Sequence, residues 1–184
     1  MGTGVHLRRV AAALILAEGV LRGATLDKSF REGNSLFLQL SDGTAQVEWL
    51  SSSSFRFSRR WEGAFVRGAA ANPERVSFKV SETADSLNVA TKYLLLTIAK
   101  RGAMVRVAEP DNTTIMADAS EAEMRDGAVS WERAAPPQVR FYGLGAREDP
   151  AVELRGSRTT ATKPFLISSA GYGEFHVEIG RAHV

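Results

Sequence analysis

The sequence contains no cysteine, and this absence excludes several kinds of site. A chain without cysteine has no disulfide framework, no thiol nucleophile and no cysteine-ligated metal. The absence is equally compatible with a reducing and an oxidising compartment. Histidine is nearly as scarce, since the sequence holds only His6, His176 and His183. Zinc and calcium ligand patterns are missing as well, so we expect neither a metal nor another cofactor.

The sequence also lacks a strong charge of one sign and a long apolar run. Lysine and arginine number 23 and aspartate and glutamate 21, which leaves a surplus of two positive charges. So small a surplus does not indicate nucleic acid or an anionic membrane as a partner. No apolar run approaches the roughly 18 to 20 residues that a membrane span needs, and we therefore predict no membrane span.

Residues 1–26 form a leader whose role the sequence leaves open. His6, Arg8 and Arg9 precede the short apolar run Val10–Ala17, and Glu18 interrupts it. Positive charge followed by an apolar run is typical of a secretory signal, but no Ala-x-Ala cleavage site follows. Two interpretations stay open. One is a signal for export to the periplasm or the extracellular space, and the other is a short helical leader of a cytoplasmic protein.

From Ser35 onward, apolar residues recur with a period of two, which predicts β-strands with one face in a core. An Asp42-Gly43 turn separates the first two strands and predicts a β-hairpin. The apolar positions of this hairpin are Leu36, Leu38, Leu40, Ala45, Val47 and Trp49.

The next strand interleaves aromatic and basic residues. Phe55, Phe57 and Trp61 alternate with Arg56 and Arg60. Such a pattern also occurs where aromatic rings stack on nucleic-acid bases. Because the net charge is close to zero, we predict instead that the rings pack inward and the cations lie in water.

Three local patterns give further expectations. Tyr93 to Ile98 is almost continuously apolar or β-branched, which predicts a strand buried on both faces. Glu121 to Arg125 predicts a single helical turn. Trp49, Trp61 and Trp131 alternate in step with core residues, which predicts buried rings. Many short strands separated by turns indicate an all-β fold, an antiparallel β-sandwich.

The most informative stretch runs from Phe141 to Phe175. Glycines bracket one large side chain at each of its ends, and a polar loop rich in charged residues joins the two ends. Glycine permits a positive φ and a close backbone approach, so we expect at least one glycine of each pair to have a positive φ. The motif residues are Tyr142, Gly143, Leu144 and Gly145 at one end, and Pro164, Phe165, Gly171, Tyr172 and Gly173 at the other.

These two motifs, in this order and about one loop apart, resemble the N-terminal β-sandwich of glycoside hydrolase family 31. The family comprises α-glucosidases, α-xylosidases and related α-glycosidases, and the resemblance is clear from about Thr44 to Phe175. It implies a galactose-mutarotase-like supersandwich that spans residues 27–178. It further implies a retaining α-glycosidase that acts on α-linked carbohydrate with an Asp nucleophile and an Asp acid/base.

In this family both catalytic aspartates come from a downstream (β/α)8 barrel, so the resemblance assigns no catalytic residue to this chain. The family's loop between the two motifs leans over the active site, and here Asp149 and Arg155 are the candidates for a sugar contact. Asp149 also precedes Pro150, a position typical of an ordinary turn. Residues 179–184 match the translation of a common short-read sequencing adapter. We therefore expect the native part of this sequence to end near Glu178, its reading frame to continue into the barrel, and the chain to be inactive without that barrel.

Other classes of protein fit the sequence less well. An aldose mutarotase needs a histidine placed for acid–base work, and two of the three histidines lie in the leader and in the adapter-like tail. A stand-alone, non-catalytic carbohydrate-binding sandwich is the second interpretation, and it requires exposed aromatic rings. A nucleotide site is excluded because Gly143-Leu144-Gly145 has no third glycine at the required spacing and no helix behind it.

Overall fold

A computed structural model describes residues 23–62, 74–143, 154 and 165–175. The described chain is built from fourteen β-strands in four antiparallel sheets, and it contains no helix. The predicted all-β, antiparallel fold is therefore confirmed. The leader before residue 23 and residues 179–184 lie outside the described residues, as does most of the loop that joins the two glycine motifs.

Two sheets make up the body of the fold. The four-stranded sheet has the order β1-β2-β3-β4, with strands at Leu26–Glu32, Ser35–Leu40, Gly43–Ser51 and Ser54–Arg60. The five-stranded sheet has the order β5-β6-β7-β8-β9, with strands at Lys79–Glu82, Ser86–Ala90, Leu95–Ala99, Val105–Ala108 and Thr114–Ala117. Each strand pairs with the next one in the chain, so both sheets are simple meanders.

The core lies between these two sheets. Leu38, Val47 and Trp49 of the four-stranded sheet and Val89 and Leu96 of the five-stranded sheet are completely buried in one apolar cluster. This arrangement is a β-sandwich, in which the inward-facing residues of two sheets form a shared core. The predicted hairpin is confirmed as β2 and β3, with the turn at Ser41 and Asp42 and with Gly43 as the first residue of β3.

The strand after this hairpin follows the prediction for its two phenylalanines and for Arg56. Phe55 and Phe57 of β4 pack against the core, and Phe55 lies 5.4 Å from Trp49, measured between ring centroids. The Arg56 side chain is exposed. Arg59 was not part of the prediction. Its guanidinium is nearly buried and forms an ion pair with Asp42 at 2.5 Å.

The prediction that Tyr93 to Ile98 is buried on both faces is wrong. Leu96 and Ile98 of β7 are buried, whereas Thr97 is only half-buried and Tyr93 is 48% exposed. The outer face of the five-stranded sheet is polar here, since the Thr97 hydroxyl donates to Asn88 Oδ1 at 2.9 Å. The strand is therefore buried on the face of Leu96 and Ile98 and only partly covered on the other.

The predicted helical turn at Glu121 to Arg125 is also wrong. Glu123–Arg125 is strand β10, and it pairs with strand β11 at Ala128–Ser130 in a two-stranded ribbon. Asp126 and Gly127 join the two strands, with φ angles of 52° and 80°. Positive φ at both positions is the conformation that favours Asp-Gly in two-residue hairpins, and this turn outweighs the weak helical pattern.

The prediction of three buried tryptophans holds only for Trp49. Trp61 is half-buried beside Arg59, whose guanidinium carbon lies 5.0 Å from the ring centroid. Trp131 is 38% exposed. It follows the last residue of β11, so the alternation that buries the core residues does not extend to it.

The remaining strands form a three-stranded sheet at Phe141–Gly143, Phe165–Ser168 and Tyr172–Phe175, which are β12, β13 and β14. The described residues of both glycine motifs therefore lie in one small sheet or in its β13–β14 turn. No helix in the described parts of the chain is long and apolar enough to cross a membrane.

Leu96→Ala should destabilise the fold by about 2–5 kcal/mol, because it removes a completely buried side chain and leaves a cavity. Leu50→Ala is the matched control, since Leu50 also lies in a strand but is 42% exposed, and it should cost less than about 1 kcal/mol. Urea unfolding followed by tryptophan fluorescence measures both values. Equal losses for the two variants would contradict the position of the core.

Candidate functional site

The two ends of the predicted site lie side by side. β12 and β13 are antiparallel neighbours, and Gly143 is paired with Leu166 at the end where the chain leaves the sheet. The structure thus brings the two glycine motifs together at the base of the loop. The other predicted site residues are Leu144, Gly145, Asp149, Arg155 and Pro164, and these lie outside the described residues.

Gly143 is required by a close contact with the neighbouring strand. Its φ is 111°, and a Cβ at this position would lie 2.4 Å from the carbonyl oxygen of Phe165. A side chain of any size would therefore push β12 and β13 apart. The expected positive φ in the first glycine pair is confirmed at this residue.

The two glycines of the second motif are required for different reasons. Gly171 has a φ of 87°, and its N–H donates to the Ser168 carbonyl at 3.1 Å in the turn between β13 and β14. Gly173 has no positive φ, and the space beside it is filled by the ring of Phe165. The expected positive φ of the second pair is therefore confirmed at Gly171 only.

One face of this small sheet points toward the protein interior. Phe141 and Ser168 are buried there as paired residues of β12 and β13, and Tyr172 packs against the main core. Burial raises the pKa of the Tyr172 hydroxyl above its ordinary value of 10.0, and this effect outweighs the hydrogen bond with Ser168, which lowers it. The neutral form of Tyr172 is therefore the form that suits the folded state.

A cluster of charges lies beside Tyr172 and links three parts of the fold. The Arg133 guanidinium forms an ion pair with Asp118 and another with Glu174 of β14, where Nη2 lies 2.9 Å from Oε1. Asp118 also accepts the N–H of Val105 in β8 at 2.6 Å. Both carboxylates are almost buried, so the cluster fixes β14 relative to the five-stranded sheet.

Sequence reasoning missed this cluster. Its members are 15 and 41 residues apart, counted from Arg133 to Asp118 and from Arg133 to Glu174. No local motif connects residues at such distances, and single charged residues usually lie in solvent. The one sequence signal for this cluster is that Glu174 directly follows the Tyr172-Gly173 motif.

One residue of the connecting loop is described, and it is anchored. Leu154 is buried, and its N–H donates to the carbonyl of Phe141 at 2.8 Å. The loop is therefore held against β12 near its middle. Across the described residues, no group of three or more His, Cys, Asp or Glu side chains could hold a metal ion.

Gly143→Ala should destabilise the fold by more than about 2 kcal/mol, since it adds a backbone clash to the strain of a positive φ. Gly171→Ala is the matched control, because its φ is also positive but its Cβ would meet no atom within 4 Å. It should cost about 1–2 kcal/mol from strain alone. Thermal unfolding of both variants gives the comparison, and a Gly143→Ala variant no less stable than Gly171→Ala would argue against the close strand approach.

Tyr172→Phe should change the pH dependence of stability in the alkaline range. A raised pKa in the folded state gives a stabilisation that is complete below pH 10 and is lost as the pH rises through the raised value. Phenylalanine cannot ionise, so the free energy of unfolding should fall less steeply above pH 10 in the variant than in the wild type. Denaturant titrations at a series of pH values test this, with each protein at pH 7 as its own reference. Parallel curves would show that Tyr172 is not buried as described.

No protein-family model matches the chain, and no curated protein matches it. Solved structures do. A glycoside hydrolase family 31 dextranase from Flavobacterium johnsoniae, solved in complex with isomaltotriose, matches with a TM-score of 0.69 and 17% identity over 84% of this chain. An α-xylosidase of the same family from Xanthomonas citri matches with a TM-score of 0.56 and 19% identity over 72% of this chain.

This chain is short relative to the enzymes that it resembles. It spans 22% of the dextranase and 17% of the Xanthomonas α-xylosidase. A third match is a family 31 α-xylosidase from a soil metagenome, solved with xylose, with a TM-score of 0.62, 17% identity and coverage of 79% of this chain and 27% of the enzyme. The described chain therefore has the β-sandwich fold that forms one part of these family 31 glycoside hydrolases.

Proposed function

We propose that this chain is the N-terminal β-sandwich domain of a retaining α-glycosidase of glycoside hydrolase family 31. The observation that carries the proposal is the shared fold, which extends over 84% of this chain and only 22% of the dextranase. In this role the domain supports a catalytic barrel that hydrolyses α-linked carbohydrate, and it has no glycosidase activity of its own.

The charges of the described chain favour a supporting role. Retaining glycosidases need two carboxyl groups about 5–5.5 Å apart, one of them free to act as a nucleophile. Within the described residues, Asp118 and Glu174 are two carboxylates that share one partner, and the Arg133 guanidinium occupies the space between them. A nucleophile that is held in an almost buried ion pair is not available for attack on a sugar.

We assign the loop between residues 143 and 165 to the border of the active site. Its two ends emerge from adjacent strands, and Leu154 ties it to β12, so the loop has a fixed base. Loops on a rigid β scaffold are where binding groups are commonly placed. Asp149 and Arg155 are the loop residues proposed to contact the sugar.

The outer face of the three-stranded sheet supplies a surface for the barrel. Phe165, Ile167 and Phe175 are 45%, 49% and 65% exposed, and the pairing of β13 with β14 places them on one face. A group of large apolar side chains in water usually marks an interaction surface. Since the matched enzymes are about four to six times as long as the matched region, we propose the catalytic barrel as the partner that covers this face.

A stand-alone carbohydrate-binding sandwich is the second candidate. The exposure of Trp131 favours it, because exposed aromatic rings are the feature that such modules use to hold sugars. In that case the chain would bind sugar without any catalytic partner.

The contiguous DNA beyond codon 178 distinguishes the two candidates. The proposed function requires an open reading frame that continues into a (β/α)8 barrel with two catalytic aspartates. A stop codon at the corresponding point of the genomic sequence would contradict the proposal and would favour the stand-alone module.

The purified chain should show no turnover of 4-nitrophenyl α-glucoside or 4-nitrophenyl α-xyloside above a no-protein control. The reason is that the proposed catalytic aspartates belong to the barrel, while the paired carboxylates among the described residues, Asp118 and Glu174, are held by Arg133. Glu174→Gln serves as a control for contaminating host glycosidases, since it would not alter their activity. Turnover that is present in the wild type and absent in Glu174→Gln would show that the chain is itself an enzyme.

A further inference from the structure

Three turns from both sheets meet at one end of the sandwich and enclose an open cleft. They are the β3–β4 turn, the β6–β7 turn and the β8–β9 turn. The cleft has a volume of about 410 Å³ and is lined by Ser53, Tyr93, Leu94, Glu109, Pro110 and Ile115. We call it the Tyr93 cleft. The cleft is open and shallow, so it suits contact with one face of a small ligand.

The lining of the Tyr93 cleft combines an apolar surface with a few polar groups. The Tyr93 ring is 48% exposed, and Leu94 and Ile115 are partly buried against the core. Glu109 and Ser53 are the polar residues of the lining, and both are exposed. The Glu109 side chain is exposed, and its carboxylate oxygens are hydrogen-bond acceptors for a ligand.

The charges around the Tyr93 cleft favour a neutral ligand. The Lys92 ammonium lies 4.9 Å from the centroid of the Tyr93 ring, and Glu109 supplies a negative charge on the opposite turn. The cleft is therefore bordered by one positive and one negative side chain, and it carries no concentration of charge of one sign. A neutral polyhydroxyl compound gains from both parts of the surface. Its hydroxyls donate to the carboxylate, and its C–H groups pack on the face of the Tyr93 ring that Lys92 does not cover.

The β6–β7 turn is held in place before any ligand binds. The Thr91 hydroxyl donates to the carbonyl of Ser52 at 2.6 Å, which ties this turn to the β3–β4 turn of the other sheet. Thr91 Oγ1 also accepts the N–H of Leu94 at 3.0 Å. The backbone that carries the cleft residues Tyr93 and Leu94 is therefore fixed before a ligand binds.

The β8–β9 turn is fixed in a similar way. The N–H of Asn112 donates to the Glu109 carbonyl at 2.9 Å, and Arg106 donates to the Asn112 carbonyl at 2.8 Å. Rigid turns reduce the entropy that binding would otherwise cost. A shallow site can therefore hold a small ligand with only a few contacts.

We propose that the Tyr93 cleft is a non-catalytic saccharide site, separate from the loop between residues 143 and 165. It would hold one neutral pyranose unit of an α-linked oligosaccharide, with the C–H face of the sugar on Tyr93 and its hydroxyls on Glu109 and Ser53. The choice of sugar class rests on the proposed function, while the existence of the site rests on the cleft itself.

The test is titration of the purified chain with isomaltotriose, followed by NMR chemical-shift changes and by calorimetry. Wild-type protein should bind the sugar, and Tyr93→Ala should weaken binding by about ten-fold, the loss expected for one aromatic contact. Glu109→Gln should weaken it in the same direction, because a charged acceptor is replaced by a neutral one. Tyr93→Phe should bind almost as well as the wild type, since the ring face is retained.

Phe30→Ala is the matched control, because Phe30 is also an exposed aromatic residue but lies outside the Tyr93 cleft. It should leave the affinity unchanged, and circular dichroism should confirm that every variant is folded. The proposal is overturned if the wild type does not bind isomaltotriose, or if Phe30→Ala abolishes binding while Tyr93→Ala does not. Either result leaves the proposed function standing, because that is decided by the contiguous DNA and the activity assay.

Discussion

The packing of the four-stranded sheet against the five-stranded sheet is the contact on which the rest of this structure depends. Trp49 lies at its centre, completely buried, with the rings of Phe55 and Phe78 at 5.4 Å and 6.2 Å. Apolar burial of this kind is the main stabilising contribution in a sandwich without disulfides. Because both sheets are meanders, their turns gather at the ends of the sandwich, and the packing of the sheets determines which turns meet.

The three-stranded sheet is attached in another way. Tyr172 contributes apolar contact with the core, while Arg133 orients the small sheet through its ion pairs with Asp118 and Glu174. A nearly buried ion pair contributes little net stability, since the desolvation of the charges offsets their attraction. Removal of one partner is costly, however, because it leaves a charge without compensation. The cluster therefore defines where the small sheet lies more than it stabilises the fold as a whole.

This division of roles explains how one scaffold offers two separate surfaces. The small sheet turns Phe165, Ile167 and Phe175 outward and carries the base of the loop, whereas the turns at the end of the sandwich form the Tyr93 cleft. The first surface suits a large apolar partner, and the second suits a small polar ligand. Neither surface needs a reactive group, and both belong to proposals rather than to a catalytic site.

The sequence by itself determined the fold class, the first hairpin and the need for glycine at the base of the loop, since each of these follows from local periodicity or from backbone conformation. It was less informative where two local patterns competed. The Asp126-Gly127 turn places Glu123 to Arg125 in a strand, although these residues also fit a helical turn. The apolar run from Tyr93 to Ile98 is buried on one face of its sheet only. The Arg133 cluster and the Tyr93 cleft were decided by tertiary structure alone. Their residues come from strands and turns that are distant in the chain, and only the packing of the sheets brings them together.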